Sequence, residues 1–126
     1  MRLARLLPDR RGASAVEFGL TAPAFFMLLA GIVDCGMLLW TQLGLQHGTE
    51  MAARCASVNS ALCGDVGSIQ TYAAQQTYGL NPPSSTFSVA VTACGNQVSA
   101  TYGYQFMASY FGVPALTLNA QSCFPI

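Results

Sequence analysis

One stretch of this chain decides its fold, and it reads Arg10-Arg11-Gly12-Ala13-Ser14-Ala15-Val16-Glu17-Phe18. A basic leader ends there, and a segment without any charged residue continues to Val33. An acidic side chain near the centre of a membrane is unfavourable by roughly 2.5–3.5 kcal/mol or more. The carboxylate of Glu17, which stands at the start of this segment, therefore needs a partner that neutralises it.

The apolar segment is long enough to cross a membrane. A spanning helix needs about 20 predominantly apolar residues, and Phe18–Trp40 exceeds that length with Asp34 as its only charged residue. Arginines are concentrated before the segment, and a single one, Arg54, follows it. Because cytoplasmic flanks carry the excess of basic residues, we expect a cytoplasmic N-terminus and an extracytoplasmic C-terminal part.

A cleaved secretory signal is the less favoured interpretation of this segment. The apolar part of such a signal is about 7–15 residues long and ends at a small-residue cleavage site. Here the apolar run is longer and no such site follows it. A secreted effector released in this way is therefore only a third hypothesis for the function.

The leader, the Gly-Ala junction and the Glu-Phe pair resemble the processing site of type IV-like prepilins. The closest resemblance is to the TadE-like minor pilins, or pseudopilins, of Flp/Tad tight-adherence systems. It implies that a prepilin peptidase cuts between Gly12 and Ala13, so that Glu17 and Phe18 become the fifth and sixth mature residues. It also implies that Glu17 and Phe18 take part in pilus assembly. For Asp34, contact with a partner pseudopilin and access to water at the outer interface both remain open.

The same resemblance implies a location and a set of partners. The chain would be a single-pass inner-membrane protein with a periplasmic C-terminal domain, and it would enter a pilus that serves cell adhesion. Its partners would be the prepilin peptidase, other pseudopilins, the major pilin and the inner-membrane assembly platform. The expected organisation is a leader over residues 1–12, a transmembrane helix over 13–45, and a stem with a periplasmic α+β domain over 46–126. The alternative is an uncleaved membrane anchor that carries a periplasmic binding module.

The region after Trp40 predicts a stem helix and a second, shorter helix. A period of three to four residues continues to about Val58, which extends the membrane helix into an amphipathic stem. Asp65 suits the N-cap of the second helix, and Gly79 suits its C-terminal stop. The positions that recur at this spacing are Trp40, Gly44, His47, Met51, Cys55 and Val58, and His47 is interpreted as a plain surface or stem residue.

Alternating residues near the C-terminus predict three strands. The alternation covers residues 87–93, 98–104 and 116–123, and Gly95-Asn96 predicts the tight turn of the first hairpin. The expected fold class is therefore α+β and pilin-like. A long N-terminal transmembrane and stem helix would carry a small domain with a short helix and a three-stranded, mainly antiparallel sheet.

Four of the five cysteines follow the membrane segment, an even number in a compartment that permits disulfides. They can pair in three ways. We favour Cys55 with Cys63, which closes the end of the stem, and Cys94 with Cys123, which ties the hairpin to the last strand. The remaining Cys35 is interpreted as a small buried apolar residue, with an interhelical disulfide as the alternative.

The composition argues against several classes of function. The net charge is zero, and the few basic residues are concentrated at the N-terminus without interleaved aromatic residues, which disfavours nucleic-acid binding. Beyond the membrane segment the charged residues are Glu50, Arg54 and Asp65, and His47 is the only histidine. These offer no acid pair, nucleophile–base pair or zinc-binding spacing. We therefore expect no enzymatic activity, no catalytic residue, no metal site and no cofactor.

Overall fold

The computed structural model describes residues 10–126, so the leader residues 1–9 lie outside the described part of the chain. The predicted α+β class is confirmed, with a long N-terminal helix, a short second helix and a three-stranded sheet. The elements in chain order are helix α1 (Arg10–Val58), helix α2 (Val66–Gln75), a 3₁₀ turn (Ser84–Thr86), strand β1 (Phe87–Thr92), strand β2 (Gly95–Tyr104), a second 3₁₀ turn (Met107–Phe111) and strand β3 (Leu116–Phe124).

The chain divides after Cys35 into two compact units, residues 1–35 and residues 36–126. The described part of the first unit is helical and presents apolar side chains to its surroundings, with Phe18, Leu20 and Met27 each about 70 % exposed or more. Only 6 % of the most apolar window of α1 is buried. By length and composition, α1 is therefore a candidate membrane span.

Within the second unit, α1 buries a stripe of small residues. The buried residues are Thr41, Gly44, Leu45, Gly48, Thr49, Ala52, Ala53 and Cys55. This stripe coincides only in part with the positions of the predicted period. Gly44 and Cys55 are buried, whereas Trp40 is 53 % exposed and Val58 is 71 % exposed. The physical reason is close packing by the turn that follows α2. A Cβ atom added to Gly44 would lie 2.8 Å from the carbonyl oxygen of Thr77.

Helix α2 begins where the sequence predicts and ends earlier. The Asp65 side chain accepts a hydrogen bond from the Ser68 amide, and the Ser68 hydroxyl oxygen accepts one from the Asp65 amide. The helix ends at Gln75, ahead of the predicted stop at Gly79. Tyr78 and Gly79 both have positive φ angles, of 51° and 83°, so the chain has already turned away from the helix before the glycine.

The sheet has the order β1-β2-β3, and both of its pairings are antiparallel. Its buried side chains come from alternating positions, as the sequence predicts, and they are Phe87, Val98, Ala100, Tyr104, Leu118 and Ala120. They join Leu45, Ile69 and Ala73 from the helices in one core. Helix α1 lies alongside β3, because Gln42 donates to the Asn119 carbonyl. Helix α2 lies alongside β1, because Gln70 donates to the Phe87 carbonyl.

The predicted position of the first hairpin turn was wrong. Thr92 pairs with Gly95, so Ala93 and Cys94 form the two-residue turn, and Gly95 already belongs to β2. Gly95 has a φ of +123°, and a Cβ atom there would collide with the carbonyl oxygen of Phe124. The glycine is therefore required by the close approach of the C-terminal strand and not by the turn itself.

Two disulfides close the second unit. They join Cys55 with Cys63 and Cys94 with Cys123, the two pairs that the sequence favours. The first fixes the chain where α1 ends, and the second fixes the hairpin turn to β3. Cys35 carries a free thiol and is exposed, which differs from the predicted buried position.

Candidate assembly surface of the N-terminal helix

The residues of the predicted processing site lie in the first turns of α1. Gly12 and Ala13 are both helical and exposed. Ala13 precedes Glu17 by one helical turn, and residues at this spacing lie on the same side of a helix. An amino group created at Ala13 would therefore lie within reach of the Glu17 carboxylate.

Glu17 borders an exposed apolar face. Helical spacing brings Glu17, Phe18, Thr21, Ala22 and Phe25 to one side of α1, and we call these five residues the assembly face. The Thr21 hydroxyl donates to the backbone carbonyl of Glu17 at 3.0 Å, so this polar side chain is satisfied within its own helix. The face therefore offers apolar surface with one carboxylate at its N-terminal edge.

The structure does not bring Asp34 together with Glu17. At a rise of 1.5 Å per residue, the two lie about 25 Å apart along the helix axis. Their environments also differ, because Asp34 is only 8 % exposed whereas Glu17 is exposed. Any role of Asp34 in assembly is therefore separate from that of Glu17.

A cluster that the sequence did not reveal lies around His47. Its ring stacks on Tyr78 with 4.5 Å between the ring centroids, and its Nδ1 lies 2.8 Å from the carbonyl oxygen of Gln76. Because a carbonyl oxygen only accepts hydrogen bonds, Nδ1 carries the proton. Trp40 packs against the same Tyr78 at 6.0 Å. No spacing rule connects His47 with a residue in the turn after α2, so sequence reasoning left it as a plain stem residue.

Among the described residues, no group of three or more His, Cys, Asp or Glu side chains is close enough to hold a metal ion. The pKa of Asp65 is lowered, mainly because the Ser68 amide donates a hydrogen bond to its carboxylate. That shift is explained by the helix cap. The candidate site is thus a surface for contact with other molecules, made of apolar side chains and one acidic residue.

The comparison with known families identifies the same helix. Residues 12–54 match the family model described as TadE-like protein. The similarity covers about a third of the chain. It begins at Gly12 and ends inside α1, so the TadE-like segment leaves out α2 and the sheet. No curated protein and no solved structure matches the chain.

Proposed function

We propose that this chain is a minor pilin, or pseudopilin, that takes part in assembling or initiating a Tad-type pilus after cleavage by a prepilin peptidase. The observation that carries the proposal is the start of the TadE-like similarity at Gly12, in the first turn of a helix with exposed apolar side chains. The four arginines of the leader would hold the N-terminus in the cytoplasm until cleavage removes them. The second unit would then fold in the periplasm, which permits its two disulfides.

The chemistry of the proposed cleavage gives Glu17 its role. Hydrolysis of the Gly12–Ala13 bond creates an ammonium group one helical turn from the carboxylate. Opposite charges attract much more strongly in a low-dielectric membrane than in water. In an assembled pilus, Glu17 would pair with the corresponding amine of a neighbouring subunit and so fix the position at which the two helices pack. Phe18 and the rest of the assembly face would supply the apolar contact around this pair.

Asp34 has a separate place in the proposal. Because an acidic residue within an apolar segment is usually functional, Asp34 is proposed to contact a partner pseudopilin. The proposed division of the chain is a leader over residues 1–12, a transmembrane helix over 13–45 and a stem with a periplasmic domain over 46–126.

The experiment that tests this function is intact-mass measurement with N-terminal peptide mapping of the membrane-extracted protein, without reduction. We expect a mature chain that begins at Ala13 and carries one alkylatable thiol, that of Cys35. A chain that keeps its leader in cells with an active prepilin peptidase would contradict the proposal and favour the uncleaved anchor. A chain that begins after Trp40 would exclude both membrane-bound functions.

A further inference from the structure

The loop between β2 and β3 exposes an unusual set of apolar side chains. In this loop, residues 105–115, Tyr110 is 95 % exposed, Phe111 is 88 % exposed and Met107 is 60 % exposed. The loop contains no charged residue. Its base is held in place, because Phe106 packs against the core and contacts the Tyr104 ring at 5.2 Å. A loop with a fixed base and exposed aromatic side chains is suited to contact an apolar surface.

Hydrogen bonds between α1 and β3 locate this loop within the second unit. Gln42 donates to the Asn119 carbonyl, and Ser57 donates to the Phe124 carbonyl, so α1 and β3 run in the same direction. Leu116 lies three residues before Asn119, which is about 10 Å of strand. The same distance along a helix is about six or seven residues, and counted back from Gln42 it reaches residues 35–36. The start of β3 therefore lies level with the Gly36 end of the unit, and Tyr104 pairs with Leu116 at that same end.

That end of the unit is the end at which the apolar segment enters. Phe18–Trp40 is the stretch long enough to span a membrane, so the level of Gly36 falls within its last turns. The β2–β3 loop projects from the sheet at this level. A second aromatic pair lies at a similar level along α1, since Trp40, one helical turn after Gly36, contacts Tyr78 and both are 53 % exposed. Aromatic residues are enriched where membrane proteins meet the interface between lipid and water.

We propose that the β2–β3 loop is a membrane-contact site that inserts Tyr110 and Phe111 into the outer leaflet of the same bilayer that α1 spans. The inference rests on the membrane placement in the proposed function. Lipid is favoured over a protein partner because the loop lies at the membrane end of the unit, carries no charge and shares its level with the Trp40–Tyr78 pair. Tyr is suited to this position, because its ring is apolar and its hydroxyl reaches the hydrated headgroups.

Tryptophan fluorescence of the full-length chain in phosphatidylcholine vesicles tests the site. The chain has a single tryptophan, Trp40, which reports on insertion of α1 itself. The variant Trp40→Phe/Tyr110→Trp moves this probe to the loop, and Trp40→Phe/Phe111→Trp repeats the test at the adjacent position. The control is Trp40→Phe/Val91→Trp. Val91 is 73 % exposed and precedes the hairpin turn at the opposite end of the sheet.

We expect lipids brominated near the headgroup to quench the indole fluorescence of both loop variants, with emission shifted to shorter wavelength relative to the Val91→Trp control. Unquenched, water-like emission from both loop probes, with Trp40 of the unmodified chain quenched, would overturn the loop site and leave the membrane placement intact. Emission shifted to shorter wavelength without quenching would indicate contact with protein and would also overturn it. Unquenched Trp40 would contradict the membrane placement on which both proposals depend.

Discussion

Replacing Glu17 tests whether the proposed assembly can be separated from the proposed cleavage. Glu17→Gln keeps the size and hydrogen-bonding capacity of the side chain but removes the charge that the proposed pairing requires. We expect the Gln variant to be cleaved normally and to enter sheared pili or envelope complexes in clearly reduced amount. Quantitative immunoblotting of both fractions measures this ratio.

The matched control for Glu17 is Glu50→Gln. Glu50 is an exposed acid of the same helix whose carboxylate accepts a hydrogen bond from Gln46 at 3.2 Å. Because it lies beyond the apolar segment, its charge is solvated and its replacement should leave assembly unchanged. Equal incorporation of the Glu17 and Glu50 variants would show that the charge of Glu17 has no role in subunit contact.

Gly48 is the residue on which the packing of the two helices depends. A Cβ atom there would lie 2.8 Å from the carbonyl oxygen of Ala73 and 2.9 Å from Cγ2 of Thr77. Gly48→Ala should therefore lower the free energy of unfolding by about 1–3 kcal/mol, as overpacking does. Denaturant unfolding of the full chain in detergent micelles, followed by circular dichroism, measures the change.

Gly36→Ala is the control for the Gly48 substitution, because its Cβ atom would meet no atom within 4 Å. Alanine is the better helix former by roughly 1 kcal/mol, so this variant should be as stable as the original chain or more stable. If Gly48→Ala were equally stable, the contact between α1 and α2 would be looser than the structure indicates.

Single residues could be predicted from the sequence where their role depends on neighbouring residues. They could not be predicted where their contacts lie in distant parts of the chain. Glu17 stands out because a charge at the start of an apolar run is unusual in any fold. His47 does not, since its partners Gln76 and Tyr78 lie in a turn whose position depends on how α2 packs. For the same reason the buried stripe of the stem coincides only in part with the periodic positions. Glycines and threonines carry little hydrophobic signal, although they form the closest contact between the helices.

Helix α2 depends on its N-cap, and this dependence should appear as a pH effect. The Ser68 amide favours the charged carboxylate of Asp65 and lowers its pKa. The resulting stabilisation is fully present above the pKa that Asp65 has in the unfolded chain. It is lost as the pH falls through the lower pKa of the folded state.

Two variants separate the cap from its charge. Asparagine is as good an N-cap as aspartate, so Asp65→Asn should match the original chain at neutral pH and lose less stability in acid. Asp65→Ala removes the acceptor and should be less stable at neutral pH. Urea unfolding midpoints measured from neutral to acid pH give the comparison. If the unfolding midpoints of the Asn and Asp forms fell equally in acid, groups other than Asp65 would determine the loss of stability.

Strands were predictable as elements because alternation is a local property, and Val98 and Ala100 are buried as expected. The hairpin turn was not, since a Gly-Asn pair normally signals a two-residue turn. Here a contact with the last strand requires Gly95, and the turn consists of Ala93 and Cys94. The early end of α2 has a similar origin, because Tyr78 leaves the helix to stack on His47.

The second unit as a whole is small, and its disulfides should contribute unequally. Cys94 and Cys123 are 29 residues apart, whereas Cys55 and Cys63 are 8 apart. Loop-closure entropy gives about 3–4 kcal/mol for the longer loop and about 2–3 kcal/mol for the shorter one. Replacing Cys94 and Cys123 by alanine should therefore lower the denaturation midpoint more than replacing Cys55 and Cys63. The opposite order would mean that the loops are already restricted in the unfolded chain.

At the scale of the whole chain, function was easier to infer from the helix than from the domain. The TadE-like match covers most of α1 and leaves out α2 and the sheet. The charge and hydropathy pattern of α1 is local and can be read directly from the sequence. The sheet has no comparable pattern, because many sequences satisfy a three-stranded core. The aromatic side chains of the β2–β3 loop became informative only when the direction of β3 along α1 was known.

The parallel course of α1 and β3 also determines how the second unit responds to force. Gln42, Gln46 and Ser57 bond to β3 at three separate levels, and the Cys55–Cys63 disulfide secures the far end of the helix. A pull on α1 from the Gly36 end acts along this line of contacts, in shear. All of them carry the load together, whereas a pull across the sheet would open them one after another. Resistance to such a pull is governed by the unfolding rate. This geometry therefore favours a unit that stays folded when force is applied to its helix.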